Sequence, residues 1–278
     1  MAARHALGPV LENVKGEFAL GPDVLDLHLA CDDVARLRAG VNAALAEHPV
    51  DHCVQAVEGR RKRLLIADMD STIISCECLD ELADYAGVKA EIAAVTERAM
   101  RGELEFEPAL RERVARLKGL PIDTLQRCYD ERVRLNPGAE QMVKTMVKHG
   151  ARAVLVSGGF GFFTSRVAAA AGFSDNRGNT LLDDGACLTG LVAEPILGRE
   201  AKLAALMLET AALGVTAADA LAIGDGANDL AMIEAAGLGV AYRAKPVVAA
   251  RALAKVDHTD LTTLLYFQGF RHTDFAAI

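Results

Sequence analysis

The sequence predicts an α/β fold built on a parallel sheet, and three observations carry this expectation. Apolar runs without alternation, at Leu64-Leu65-Ile66, Ala153-Val154-Leu155-Val156 and Ala220-Leu221-Ala222-Ile223, read as strands buried on both faces. Stretches with apolar residues at helical spacing separate them. Each run ends in a short polar segment: Asp68-Met69-Asp70-Ser71-Thr72, Ser157-Gly158-Gly159, and Gly224-Asp225-Gly226-Ala227-Asn228-Asp229. The carboxyl edge of an open parallel sheet is where such folds build their ligand sites.

Along the chain, residues 1–60 form a small α+β region. Val24-Leu25-Asp26-Leu27-His28-Leu29 alternates like a half-buried strand, and Asp32 or Asp33 caps a helix carrying Val34, Leu37, Val41 and Leu45. Asp51 to Val57 reads as a second strand, which makes one βαβ-like unit. Such a unit is too small to stand alone, so it is expected to pack on the main domain or on a second copy of the chain in a homodimer. The run Arg60-Arg61-Lys62-Arg63 reads as a linker or the exposed start of the next strand.

Residues 61–74 supply that strand and the Asp-x-Asp loop. From 75 to 135 only helices are expected: Glu77–Tyr85, Val88–Met100, Phe106–Leu117 with Leu110, Val114 and Leu117 on one stripe, and a fourth opened by Pro121. This insert follows the acidic loop directly and is placed to act as a cap. From 136 to 278 the strand–helix alternation returns. Helices are expected from Pro137-Gly138 to His149, up to Ala171, and over Arg199–Leu213. Asp183-Asp184-Gly185 reads as a hairpin turn, and Gly239-Val240-Ala241 as a last short strand.

Composition narrows the function. The chain has 278 residues, 51% of them hydrophobic, and a formal net charge of −8, which offers no general attraction to nucleic acid or to an anionic membrane. No apolar run is long enough to span a bilayer, and nothing after Arg4 and His5 resembles a signal peptide, so the cytoplasm is the expected compartment. Cys31, Cys53, Cys76, Cys78, Cys128 and Cys187 lack Cys-x-x-Cys spacing and read as reduced packing residues.

Asp68 and Asp70 put two carboxylates at one strand end. They repel each other unless a cation or a shared proton intervenes, which points to a hard metal ion such as Mg²⁺ and to a carboxylate nucleophile. A solvated turn would explain these residue types equally well in isolation. Ser157-Gly158-Gly159 offers a hydroxyl and open amides, suited to cradling phosphate or simply to making a tight turn. Asp225 and Asp229 repeat the acidic construction with glycines that let the backbone approach a ligand.

The ordered set Asp68-x-Asp70-Ser71-Thr72, Ser157-Gly158-Gly159, Lys202 and Gly224-Asp225-Gly226-x-Asn228-Asp229 resembles the haloacid dehalogenase (HAD) superfamily of phosphotransferases across residues 62–270. The resemblance implies a Rossmann-like parallel-sheet core with an inserted helical cap. The insert itself is similar to the cap of the phosphoserine phosphatase branch. The matching residues there are Glu77, Val95-Thr96-Glu97-Arg98-Ala99-Met100-Arg101-Gly102, Phe106 and Leu110-Arg111-Glu112-Arg113-Val114.

By that resemblance Asp68 is the nucleophile and Asp70 the general acid and base. Mg²⁺ is held by Asp68, the Asp70 backbone carbonyl and Asp225, with Asp229 acting through water. Ser157, Gly158, Lys202 and Asn228 hold the phosphoryl group. Glu77 and Arg113 match the ammonium and carboxylate of O-phosphoserine, with Met100 and Phe106 as the apolar wall. The implied activity is hydrolysis of O-phospho-L-serine, the last step of serine biosynthesis. Alternatives in the same fold are a phosphatase for another phosphomonoester, transfer to an alcohol such as homoserine, or a non-catalytic phospho-ligand binder. Relatives with a larger regulatory domain of the ACT type suggest that residues 1–60 are a shortened remnant of it.

Overall fold

The computed structural model describes residues 2–8, 10–11, 14–100 and 103–278. In chain order the elements are α1 (Ala2–Ala6), β1 (Val14–Gly21), β2 (Val24–Leu29), α2 (Val34–Leu45), β3 (Leu64–Ala67), α3 (Cys78–Tyr85), α4 (Lys89–Met100), α5 (Phe106–Ala115) and α6 (Asp123–Arg132). Then follow α7 (Ala139–Lys148), β4 (Arg152–Phe160), α8 (Gly161–Ala171), β5 (Asp175–Asn179), β6 (Leu181–Asp183), β7 (Leu188–Val192) and α9 (Arg199–Leu213). The chain closes with β8 (Ala220–Gly224), α10 (Leu230–Ala235), β9 (Leu238–Tyr242), α11 (Pro246–Ala249), β10 (Ala254–Val256) and α12 (Thr263–Phe267).

Among the described residues the central sheet has six strands in the order β10-β9-β8-β3-β4-β5, all parallel. Leu64, Leu65, Ile66 and Ala67 of β3 are fully buried, as their unbroken apolar run requires. From β3 the chain winds outward through β4 and β5, then returns to the opposite side for β8, β9 and β10. β3 therefore stands at the reversal of strand order, the position that opens a crevice at the carboxyl edge.

The helices α3 to α6 form the insert. Leu110, Val114 and Leu117 are buried as their stripe predicts, together with Leu82, Ile92 and Cys128. The insert is braced by the β6–β7 hairpin: the Gly119 amide donates to the Leu188 carbonyl at 2.9 Å, and the Ile122 amide to the Ala186 carbonyl at 2.9 Å.

The N-terminal region departs from the expected βαβ unit. β1 and β2 form an antiparallel hairpin, and α2 is capped by Asp33, whose carboxylate accepts the Arg36 amide at 2.9 Å. Residues 51–57 are not a strand; they make one bridge, His52 to Lys255, at the edge of β10. The reason lies in Asp51. Its carboxylate accepts the amides of Asp257 and Thr259 at 2.8 Å each, so the segment is held as a clamp on the core. The basic run is a seam between hairpin and core, with Arg60 donating to Asp26 at 2.9 Å and Lys62 to the Ala218 carbonyl at 2.8 Å.

Two further expectations shift. Ser157-Gly158-Gly159 belongs to an irregular extension of β4, and the helix begins only at Gly161. β9 is followed by one more strand, β10.

Candidate active site

β3 lies between β8 and β4, so the loops after these three strands meet at one edge of the sheet. The Asp68 amide still donates to the Ile223 carbonyl of β8 at 3.0 Å, which fixes the nucleophile candidate as a continuation of the strand. Asp70 turns toward β4 and α3: one oxygen accepts the Cys78 amide at 3.0 Å, the other the Ser157 hydroxyl at 3.3 Å. Ser71 takes a positive φ of 56° to make this turn, and its hydroxyl donates to Glu77 at 2.6 Å. A Cβ on Gly159 would lie 2.9 Å from the Asp70 carboxylate, so only glycine lets the two loops approach.

Lys202, from α9, is buried at 2% exposure and donates to Asp68 and Asp229 at 2.5 Å each. Asp229 also accepts the Gly226 amide at 3.0 Å, and a Cβ on Gly224 would come within 2.3 Å of its carboxyl carbon. Asn228 is partly buried in the same loop beside Gly226. Burial disfavours the Lys202 charge, yet Asp68 and Asp229 outweigh it and raise its pKa. Burial first, then the Asp229 charge, pushes the Asp68 carboxyl above its usual range against the pull of Lys202. Burial also raises Asp70 and Asp225, the latter helped by Asp229.

Four carboxylates thus surround one ammonium. Asp68, Asp225 and Asp229 offer oxygens within 4.8 Å of one another. An all-oxygen donor set with surplus buried negative charge suits a hard divalent cation, and such a cation would offset the repulsion among these carboxylates. The residues present therefore fit a metal.

From the cap side, burial above all raises Glu77 to about 7, with the Asp70 and Asp225 charges adding to it and the Ser71 hydroxyl opposing. Burial lowers the pKa of Arg113, which feels the opposing charges of Asp80 and Glu77; its Nε donates to the Ala109 carbonyl at 3.2 Å. Phe106 lies over the phosphate-cradle candidate, since a Cβ on Gly158 would meet its ring at 3.1 Å. An open cleft lined by Glu105, Phe106, Gly198 and Arg199 runs beside it. The Met100 side chain lies outside the described residues.

The structure therefore gathers Asp68, Asp70, Ser157, Gly158, Lys202, Asp225, Asn228 and Asp229 at one sheet edge, with Glu77, Arg113 and Phe106 on the cap side. Sequence reasoning missed the Cys78 amide on Asp70 and the Asn179 side chain on Gly158. A backbone donor leaves no residue-type signal, and Asn179 sits in a polar segment that shows no period.

Comparison with known proteins identifies the family. The family model described as haloacid dehalogenase-like hydrolase matches residues 65–234. A phosphoserine phosphatase from a Polaromonas species is 45% identical over 208 residues, covering 73% of this chain and 88% of that one. A HAD family hydrolase from Salmonella enterica serovar Typhi superposes with a TM-score of 0.81 at 30% identity, covering 87% of this chain and 84% of that one. A phosphoserine phosphatase solved as an analogue of its phospho-aspartyl intermediate gives 0.68 at 36% identity, over 74% of this chain and 99% of that one. With its carboxylate-ended strands, its buried lysine and these relatives, the chain belongs to the haloacid dehalogenase-like hydrolases, in the group of the phosphoserine phosphatases.

Proposed function

We propose that the chain hydrolyses O-phospho-L-serine to L-serine and phosphate, with residues 61–74 and 136–278 as catalytic core and residues 75–135 as cap. The observation that carries this reading is the joining of two sets of groups. Asp68, Asp70, Ser157, Gly158 and Lys202 meet at the sheet edge, and Glu77, which feels the Asp70 and Asp225 charges, links them to Arg113 on the cap.

Asp68 attacks phosphorus and the bond from phosphorus to the serine oxygen breaks, leaving an aspartyl-phosphate. Asp70 gives its proton to the departing serine oxygen, then takes one from the water that attacks the aspartyl-phosphate and releases orthophosphate. The Ser157 hydroxyl, bonded to Asp70 in the free site, turns with the Gly158 amide and Lys202 to the phosphoryl oxygens, where charge develops in the transition state. Asn228 stands beside them. Mg²⁺ is the cation we assign, held by Asp68, the Asp70 carbonyl and Asp225, with Asp229 acting through water; when bound it supplies charge neutralisation. Glu77 takes the ammonium of the substrate, and Arg113 takes its carboxylate in a two-pronged bond. Phe106 forms the wall that keeps water out.

Arg113→Ala is the test of substrate choice. The variant should lose about 100-fold or more in kcat/KM on phosphoserine, and only a few-fold on an aryl phosphate that has no carboxylate to bind. Equal losses on both would remove Arg113 from substrate recognition.

Two broader readings accompany this one. No helix among the described residues is long and apolar enough to cross a membrane, and the reaction is one of small-molecule metabolism. We read the reaction as the last step of serine biosynthesis and the cytoplasm as its place, and cell fractionation checks the second. The β1–β2 hairpin leaves Phe18 and Leu25, on its opposite faces, exposed at 44% each, and we read this region as the homodimer contact. Light scattering should then give twice the monomer mass, and a monomer at assay and millimolar concentrations alike would end that reading.

A further inference from the structure

Asn179 ends β5, at the polar edge of the central sheet, yet its side chain is only 2% exposed. Its Nδ2 donates to the Gly158 carbonyl at 2.8 Å and to the Leu197 carbonyl at 3.3 Å, while its Oδ1 accepts the Leu197 amide at 2.7 Å. One buried amide therefore laces two separate stretches of backbone. The first is Gly158-Gly159, which has no Cβ and so no intrinsic preference for the conformation that aims the Gly158 amide. The second is Leu197-Gly198, the lead into α9, whose fourth residue is Lys202. Phe106 rests over the same seam, near the Cβ positions of both Gly158 (3.1 Å) and Gly198 (3.5 Å).

We propose that Asn179 is a positioning residue for the phosphoryl group. It holds the Gly158 carbonyl and the start of α9 in one register, which limits how far the Gly158 amide, on the preceding peptide of the same residue, and Lys202 can swing away from the phosphoryl oxygens. It touches no substrate atom and acts through main chain alone. A soft pair of glycines needs such an outside anchor, because misplacing a phosphoryl donor by about 1 Å costs on the order of 100-fold in rate. The inference rests on the phosphatase reading for Ser157-Gly158 and Lys202, but not on which alcohol carries the phosphate.

The experiment uses the full chain with Asn179→Ala and Asn179→Asp. The Asp variant keeps the acceptor for the Leu197 amide and loses the donor to Gly158. Turnover is measured on O-phospho-L-serine and on an aryl phosphate, with inhibition by orthophosphate and thermal melting alongside. Both variants should lose about 10–100-fold in kcat/KM on both substrates, and the inhibition constant for orthophosphate should rise by about 10-fold. A merely structural role would lower the melting temperature and leave orthophosphate inhibition unchanged, and that result overturns the proposal. A loss confined to phosphoserine also overturns it, since the seam would then serve the cap instead. Should Asn179→Ala fail to fold, the near-isosteric Asp variant decides alone: wild-type orthophosphate inhibition in it contradicts the role. If the wild type hydrolyses the aryl phosphate but not phosphoserine, the substrate reading falls while the Asn179 comparison still stands.

Discussion

Asp68→Asn is expected to reduce phosphoserine hydrolysis by on the order of 10⁴-fold or more while leaving the fold in place. The amide is nearly the same shape as the carboxylate, and its oxygen still accepts from Lys202. Asp229 keeps the buried charge pair with that ammonium, at the 2.5 Å seen in the structure. What disappears is the anionic oxygen that bonds to phosphorus. Mass measurement after rapid acid quench should show a phosphorylated form of the wild type and none of the variant. A variant that kept a tenth of the wild-type rate would place the nucleophile elsewhere.

Lys202→Met should have the largest combined effect on stability and rate. Lys202 is the ammonium that Asp68 and Asp229 share, and all three side chains are buried at 6% exposure or less. Removing one member of a buried charge cluster costs about 3–5 kcal/mol, because the carboxylates left behind have lost their counter-charge and lie out of reach of bulk water. Methionine fills the same volume, so a cavity contributes little. Without a phosphoryl donor, kcat should fall about 100–1,000-fold. Urea unfolding with and without Mg²⁺ separates the causes: added cation should restore part of the lost stability by facing the unpaired carboxylates, and it should not restore turnover. Wild-type stability in a chelator would contradict the buried-triad account.

Much of the core was legible because its strands are buried on both faces. Leu64–Ala67 and Ala220–Ile223 have no exposed side, so the apolar run is unbroken and cannot be mistaken for a solvated element. Helix α9 was legible to the residue because Gly198 and Gly214 bracket its apolar pattern. β5 was invisible for the opposite reason. Asp175-Asn176-Arg177-Gly178-Asn179 is an edge strand of polar residues that pairs on one side only. Asp51 to Val57 misled because its composition suits a strand, while its backbone is tied instead by Asp51 to the amides of Asp257 and Thr259. Strand-end carboxylates announce themselves by residue type and spacing; a side chain such as Asn179, whose task is to hold other residues' main chain, does not.

The most direct test of the central claim is phosphate release from O-phospho-L-serine with Mg²⁺, measured beside a panel of sugar, nucleotide and aryl phosphates. A chelator and Asp68→Asn serve as controls. Strong preference for phosphoserine is expected, lost in the variant and lost on chelation. Even activity across the panel, or activity that survives chelation or the loss of Asp68, would contradict it.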